Sequence, residues 1–267
     1  MRPERAEILC GDVRLYAELR FPEKTPAPAV LICHGMNSQG FQGSKIYTQL
    51  AEQACELGFV SLLFDFRGTG NSGGTFDYGY AEQDDFKCAL QFLTSRPEVK
   101  SKNISVIGHS LGGAVSLCML RDEPRVKALV LWAVPKNHDY NVKKFIRRTR
   151  GRLGLCLFLL LSPLDRLFDV SRFFRLRVYG IDLRLKEVRR KLMRLNETEA
   201  ASKLKGLPVL VIVGGTDRIV GRDEAEVIYS ALHGPKSLSV IESADHVFRG
   251  KEKELIDVTL DWIRKWT

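Results

Sequence analysis

The sequence lacks the features that mark several large classes of protein. Its longest apolar run, Leu153 to Leu164, is interrupted by Gly154 and Ser162. A bilayer span needs about 20 apolar residues, so this run is too short to cross one. Met1-Arg2-Pro3-Glu4-Arg5-Ala6-Glu7 is charged and leads into no apolar stretch, which sets the expectation of no secretory leader. The six cysteines, Cys10, Cys33, Cys55, Cys88, Cys118 and Cys156, form no C-x-x-C pair and stand at zinc-ligand spacing from no histidine. Without a leader, the default is reduced thiols in a cytoplasmic protein, and a disulfide, which spacing alone does not reveal, stays open. There is no H-E-x-x-H, no internal repeat and no low-complexity linker. Gly68, Gly70 and Gly73 carry the letters of a dinucleotide fingerprint, but they do not follow the first strand, where that motif works. No metal and no cofactor is therefore expected.

What remains is an ordinary globular composition. Of 267 residues, 45% are hydrophobic and 27% charged, enough to bury a core without covalent staples. Ala29 to Cys33, Phe59 to Phe64, Ile104 to Ile107, Ala128 to Trp132 and Pro208 to Val213 are short continuous apolar runs. Such runs suit strands whose two faces are both covered. Val13 to Leu19 alternates instead, as a half-exposed strand does, and Leu238 to Ile241 reads as the last strand. Helical patterns lie between them: 46–57, 81–93, 114–120, 224–232 and 252–266. Strands alternating with helices predict an α/β fold, a mostly parallel sheet of eight strands with helices on both faces.

Residues 136–205 break the alternation and predict no strand. They hold 19 Lys and Arg against 7 Asp and Glu, a net +12, whereas the rest of the chain is net −3. The division expected is a core of residues 1–135 and 206–267, with 136–205 as a basic helical cap inserted in the same domain. Within it, Glu187 to Lys203 reads as one amphipathic helix with a solvated basic face. Leu153 to Leu161 is apolar on every helical face, so it is either packed deeply or lines a greasy pocket.

The sharpest motif is Gly108-His109-Ser110-Leu111-Gly112-Gly113, which follows the strand ending at Ile107 and opens the helix from Ala114. In G-x-S-x-G between strand and helix, the serine takes strained backbone angles, and only glycines two residues to either side avoid a clash. With it stand His34-Gly35-Met36, Asp65-Phe66-Arg67-Gly68-Thr69-Gly70-Asn71-Ser72, and Gly214-Gly215-Thr216-Asp217 followed late by Asp245-His246. These motifs resemble the serine hydrolases of the α/β-hydrolase fold, most nearly the branch of esterases, monoacylglycerol lipases and serine aminopeptidases that includes feruloyl esterases. The likeness runs from about Val13 to the C-terminus and is weakest across the cap.

The resemblance, together with spacing, implies roles. Ser110 is the expected nucleophile, His246 its base and Asp217 the carboxylate that orients the base, in the chain order Ser, Asp, His. Asp245 and Asp65 are the weaker alternatives for the carboxylate, Asp65 with Arg67 as its expected partner. The backbone amides of Leu111 and Met36 are the expected oxyanion donors. Met36, His109, Leu157 and Phe158 are the expected pocket lining, with His109 packed beside the nucleophile. His34 is expected to bond structurally, and His138 and His233 to face solvent. The function expected is cleavage of carboxylic esters, with short or medium acyl, monoacylglycerol or aromatic acyl substrates all compatible. A thioesterase, a peptidase and a non-catalytic module binding lipid or protein are the alternatives. The expected partner is a small-molecule ester and not nucleic acid; contact of the basic cap with a lipid surface, and a homodimer, are further readings.

Overall fold

The computed structural model describes residues 3–144, 146–148, 156, 176–178, 180–183 and 185–267. Its centre is an eight-stranded sheet. In chain order the strands are β1 (Glu4–Cys10), β2 (Val13–Arg20), β3 (Ala27–Cys33), β4 (Val60–Phe64), β5 (Val99–His109), β6 (Val126–Trp132), β9 (Val209–Gly214) and β10 (Lys236–Ile241). They lie side by side as β1-β2-β4-β3-β5-β6-β9-β10. β1 pairs antiparallel with β2 and β2 with β4, and every later pairing is parallel.

The continuous apolar runs are the central strands, and every residue of β4 and β9 is buried. Helices α2 (Glu82–Ser95) and α3 (Leu111–Met119) cover one face, where Leu31, Leu62, Val106 and Leu129 form the larger core. Helices α1 (Lys45–Glu56) and α7 (Glu252–Trp266) cover the other, over Ile32, Leu63, Val130 and Ile212. The remaining core helix, α6 (Arg222–Ala231), packs its Ala225 and Ile228 into the larger core. Burying a Leu or Ile side chain contributes roughly 1.5–3 kcal/mol, so these two layers are what fix the strand ends that carry the site.

Several expectations are corrected. β1 escapes sequence reading because it is an edge strand whose Glu4, Arg5 and Glu7 are exposed, with only Ile8 and Cys10 buried. The stretch 136–205 does contain strand: β7 (Leu176–Val178) and β8 (Ile181–Leu183) form an antiparallel pair, too short to show a period. The single helix expected over Glu187 to Lys203 is two, α4 (Leu185–Arg190) and α5 (Glu197–Lys203), separated by a 3-10 turn at Leu192–Arg194. Asn196 starts the second by accepting the Glu199 amide with its side chain, a helix N-cap. The basic face is also not simply solvated, since Lys191 pairs with Asp77 of the core and with Glu187. Finally, Cys10 and Cys88 are joined by a disulfide between β1 and α2, across a separation of 78 residues, rather than reduced. No helix among the described residues is long and apolar enough to cross a membrane.

Candidate active site

Three loops leaving the sheet at β5, β9 and β10 build the site. The first is the turn from β5 into α3. Ser110 has φ 49° and ψ −114°, a conformation that L residues with a side chain rarely hold. It persists because its surroundings fix it. The Ser110 amide donates to Trp132 O at 2.8 Å, and Ser110 O accepts from Ala114 N at 3.0 Å. A Cβ on Gly112 would lie 2.4 Å from His34 O, and one on Gly108 2.5 Å from the Gly113 Cα. The glycines are required by that close approach, as the motif predicts.

The second loop carries Asp217. Gly214 ends β9 where a Cβ would lie 2.4 Å from Ala244 O, so this strand end touches the loop after β10. The contact is stitched by Thr216, whose amide and hydroxyl both donate to Ala244 O, at 3.0 and 2.9 Å. The third loop, 242–250, carries His246. His246 Nδ1 lies 2.8 Å from Asp217 Oδ2, and His246 Nε2 lies 3.2 Å from Ser110 Oγ. Asp217 Oδ1 accepts from the Ile219 and Val220 amides at 2.8 and 3.0 Å, so the carboxylate is held at both oxygens. Because a carboxylate only accepts, Nδ1 carries the proton and Nε2 is left as a base toward the serine.

The other carboxylates are engaged elsewhere. Asp245 Oδ1 accepts from Val247 and Arg249 amides, closing its own turn. Asp65 accepts from the Phe41 and Asn71 amides in a cradle where a Cβ on Gly40 or Gly70 would collide with it. Burial pushes its pKa up to about 6. Arg67 is not its partner, contrary to expectation. With both Asp65 oxygens taken by amides, Arg67 instead makes two-pronged contact with the fully buried Asp85 of α2, at 2.6 and 2.9 Å.

Around Ser110 lies a cavity of about 380 Å³, lined by Met36, Tyr47, Trp132, His138, Val142, Leu192, Val220 and Phe248 among others. No Lys, Arg, Asp or Glu lines it among the described residues. Met36 is at its wall, and Leu111 opens α3 beside Ser110. Among the described residues no protein group accepts from the amide of either. Leu157 and Phe158, with the rest of the apolar run except Cys156, lie outside the described residues.

His109 does more than pack. Its Nε2 donates to His246 O at 3.0 Å, so its Nδ1 accepts, and the donor is the Tyr47 hydroxyl at 2.6 Å. Tyr47 Oη in turn accepts from the Gly35 amide at 3.1 Å. Burial, with His246 close by, drives the His109 pKa down to about 3, which keeps the ring neutral in this chain of bonds. Gly35 precedes Met36, so one directed run links the Met36 loop to the backbone of His246. Sequence reading missed Tyr47. The available signal was a tyrosine on the buried face of α1, whose hydroxyl needs a partner. His34 is structural as expected, donating to Gly35 O at 2.7 Å and accepting the Phe66 amide at 3.1 Å. His233 is exposed as expected. His138 is not. It is buried, lines the cavity, and bonds through Nδ1 to the fully buried Glu197.

A parallel sheet whose strand ends gather a strained serine, a histidine and an aspartate defines a class, the α/β hydrolases. A family model described as the alpha/beta hydrolase family matches residues 30–258, and the chain belongs to that family. It is 31% identical over 141 residues to thiohydrolase apmlB of Arthrinium phaeospermum, a match covering 52% of this chain and 45% of that protein. In structure it superposes on an esterase of Pyrococcus furiosus with a TM-score of 0.73 and 23% identity, covering 99% of this chain and 91% of that one. Est1E of Butyrivibrio proteoclasticus, solved with ferulic acid bound, gives a TM-score of 0.75 at 18% identity, covering 98% of each chain. At these identities the structures speak for the fold.

Proposed function

We propose that the protein hydrolyses carboxylic esters through an acyl-enzyme on Ser110. The observation that carries this is the run Asp217–His246–Ser110, bonded at 2.8 and 3.2 Å and lining the cavity at Ser110 and His246. Ser110 Oγ attacks the acyl carbon while His246 Nε2 takes its proton, and Asp217 stabilises the imidazolium that results. The Met36 and Leu111 amides donate to the oxyanion, helped by the positive end of α3. The proton on His246 then goes to the leaving alkoxide, and the alcohol departs. Water repeats the sequence on the acyl-enzyme and releases the acid.

A cavity whose described lining carries no Lys, Arg, Asp or Glu favours a neutral, largely apolar acyl group. The test is hydrolysis of p-nitrophenyl esters from acetate to palmitate, wild type beside Ser110→Ala, with covalent labelling by a fluorophosphonate. Turnover and labelling lost together in Ser110→Ala support the reading. Turnover retained in Ser110→Ala, or a wild type that neither turns over nor labels, sinks it. A thioester is the second reading, favoured by the similarity to a thiohydrolase over half of this chain. The same acyl-enzyme forms and a thiol leaves in place of the alcohol, so acyl thioesters belong in the same assay.

A further inference from the structure

The cavity contains a second imidazole held by a carboxylate. His138 Nδ1 bonds Glu197, which is wholly buried and whose other oxygen, Oε2, has no partner among the described residues. Nothing among the described residues takes His138 Nε2, and the ring is part of the cavity wall. The arrangement matches that of His246 on Asp217, but among the described residues no serine, cysteine or threonine is hydrogen-bonded to its Nε2. Residues 138–144 are helical, so His138, Asn141 and Val142, at spacings of three and four, turn one face to the cavity. Asn141 Nδ2 donates to Glu224 Oε2 at 2.5 Å, which fixes the amide and leaves Oδ1 as an acceptor.

We propose that His138, with Asn141 beside it, is a recognition site for a hydroxyl group on the substrate, an alcohol or phenol set away from the scissile ester. This rests on the ester-hydrolase reading and names its substrate class. The chemistry selects among polar groups. An ammonium needs a carboxylate facing it, and neither Glu197 nor Glu224 lines the cavity. A carboxylate needs an unanswered cation; no Lys or Arg lines the cavity among the described residues, and a charge on His138 would already be balanced by Glu197. A hydroxyl both donates and accepts: it donates to a bare Nε2, or it accepts from Nε2–H and donates its own proton to Asn141 Oδ1.

A site built to bond a hydroxyl penalises the analogue that lacks it, because its own polar groups are then left unpaired. The experiment compares p-nitrophenyl ω-hydroxyalkanoates with p-nitrophenyl alkanoates of equal length, from four to ten carbons. The expected result is a preference in kcat/KM of about tenfold or more for the hydroxy ester at one or two lengths. In the double variant with His138→Leu and Glu197→Leu, which strands no buried charge, the preference falls to near one. A wild type with no preference at any length overturns the proposal, and so does a preference that survives in the folded double variant. If no ester turns over, the hydrolase reading fails separately. The hydroxyl site is then read from the His138 imidazole nitrogen resonances of Ser110→Ala titrated with methyl 6-hydroxyhexanoate and methyl hexanoate. A shift of Nε2 with the hydroxy ester alone supports the site, and no difference between the two overturns it.

Discussion

Replacing Tyr47 by Phe removes one oxygen and tests whether the bonds around His109 position the proposed machinery. The hydroxyl is buried, accepts the Gly35 amide at 3.1 Å and donates to His109 Nδ1 at 2.6 Å. Phe keeps the ring and its stacking on Trp132. Two buried groups lose their partner, each at a cost of about 1–3 kcal/mol, so the loss of stability should be about 2–4 kcal/mol after relaxation. For a chain of this size that is roughly 5–15 °C in Tm. The effect on turnover follows from Gly35 being next to Met36. Deleting an oxyanion donor outright costs about 100- to 1,000-fold in kcat. Here the Met36 amide is only loosened, so a fall of about tenfold in kcat is expected, with KM changed less than about threefold. Steady-state hydrolysis of p-nitrophenyl butyrate and a thermal melt measure both. A variant with wild-type kcat refutes the positioning argument, even if Tm drops. A rise in KM with kcat unchanged refutes it too, because it would show the hydroxyl acting on binding alone.

Other perturbations test other parts of the account. Gly112→Ala puts a Cβ 2.4 Å from His34 O and 2.5 Å from Cys33 O, both backbone. It should cost about 3 kcal/mol or more and abolish fluorophosphonate labelling; a folded, labelled variant would show the elbow to be slacker than described. Burial pushes the Glu82 pKa from 4.5 up to about 7 against the pull of the Asp77 and Gly79 amides it accepts. A raised folded pKa stabilises fully below the unfolded value and is lost as pH rises through about 7, so Glu82→Gln should flatten the fall in Tm between about pH 5 and about pH 8. An unchanged slope there would rule Glu82 out as its source. The Cys10–Cys88 bond closes a separation of 78 residues, which chain entropy values at about 4–5 kcal/mol. Alkylation of the denatured, unreduced protein should add four groups, at Cys33, Cys55, Cys118 and Cys156, and six would disprove the bridge.

What could be read in the sequence was whatever depends on neighbours. Continuous apolar runs marked β3, β4, β6 and β9 because both faces of those strands are covered. The Ser110 elbow was readable because its strain and its glycines lie within six residues. Asp217 and His246 were readable once a family likeness supplied the order in which loops reach the sheet edge. What escaped depends on distant partners. Glu197 is 59 residues from His138, and Tyr47 is 62 from His109. The same is true of Cys10 and Cys88, which meet only because α2 crosses back over β1. No local period encodes such a meeting.

The histidines show why residue type and position do not settle a role. In His34 and His109 both ring nitrogens are bonded to groups that neither react nor leave, and burial holds the rings neutral, with pKa values of about 4 and about 3. They are braces, although His109 is next to Ser110, the proposed nucleophile, in sequence. In His246 and His138 a buried carboxylate takes Nδ1 and the ring lies on the cavity wall. The two arrangements differ in what Nε2 meets. For His246 it is Ser110 Oγ, on our proposal a nucleophile to activate, and for His138 it is no group among the described residues. On our two proposals, the same kind of orienting carboxylate supports bond breaking in one place and recognition in the other. The difference is set by which loop brings a hydroxyl to the ring, the protein's own at Ser110 or, on our proposal, the substrate's at His138.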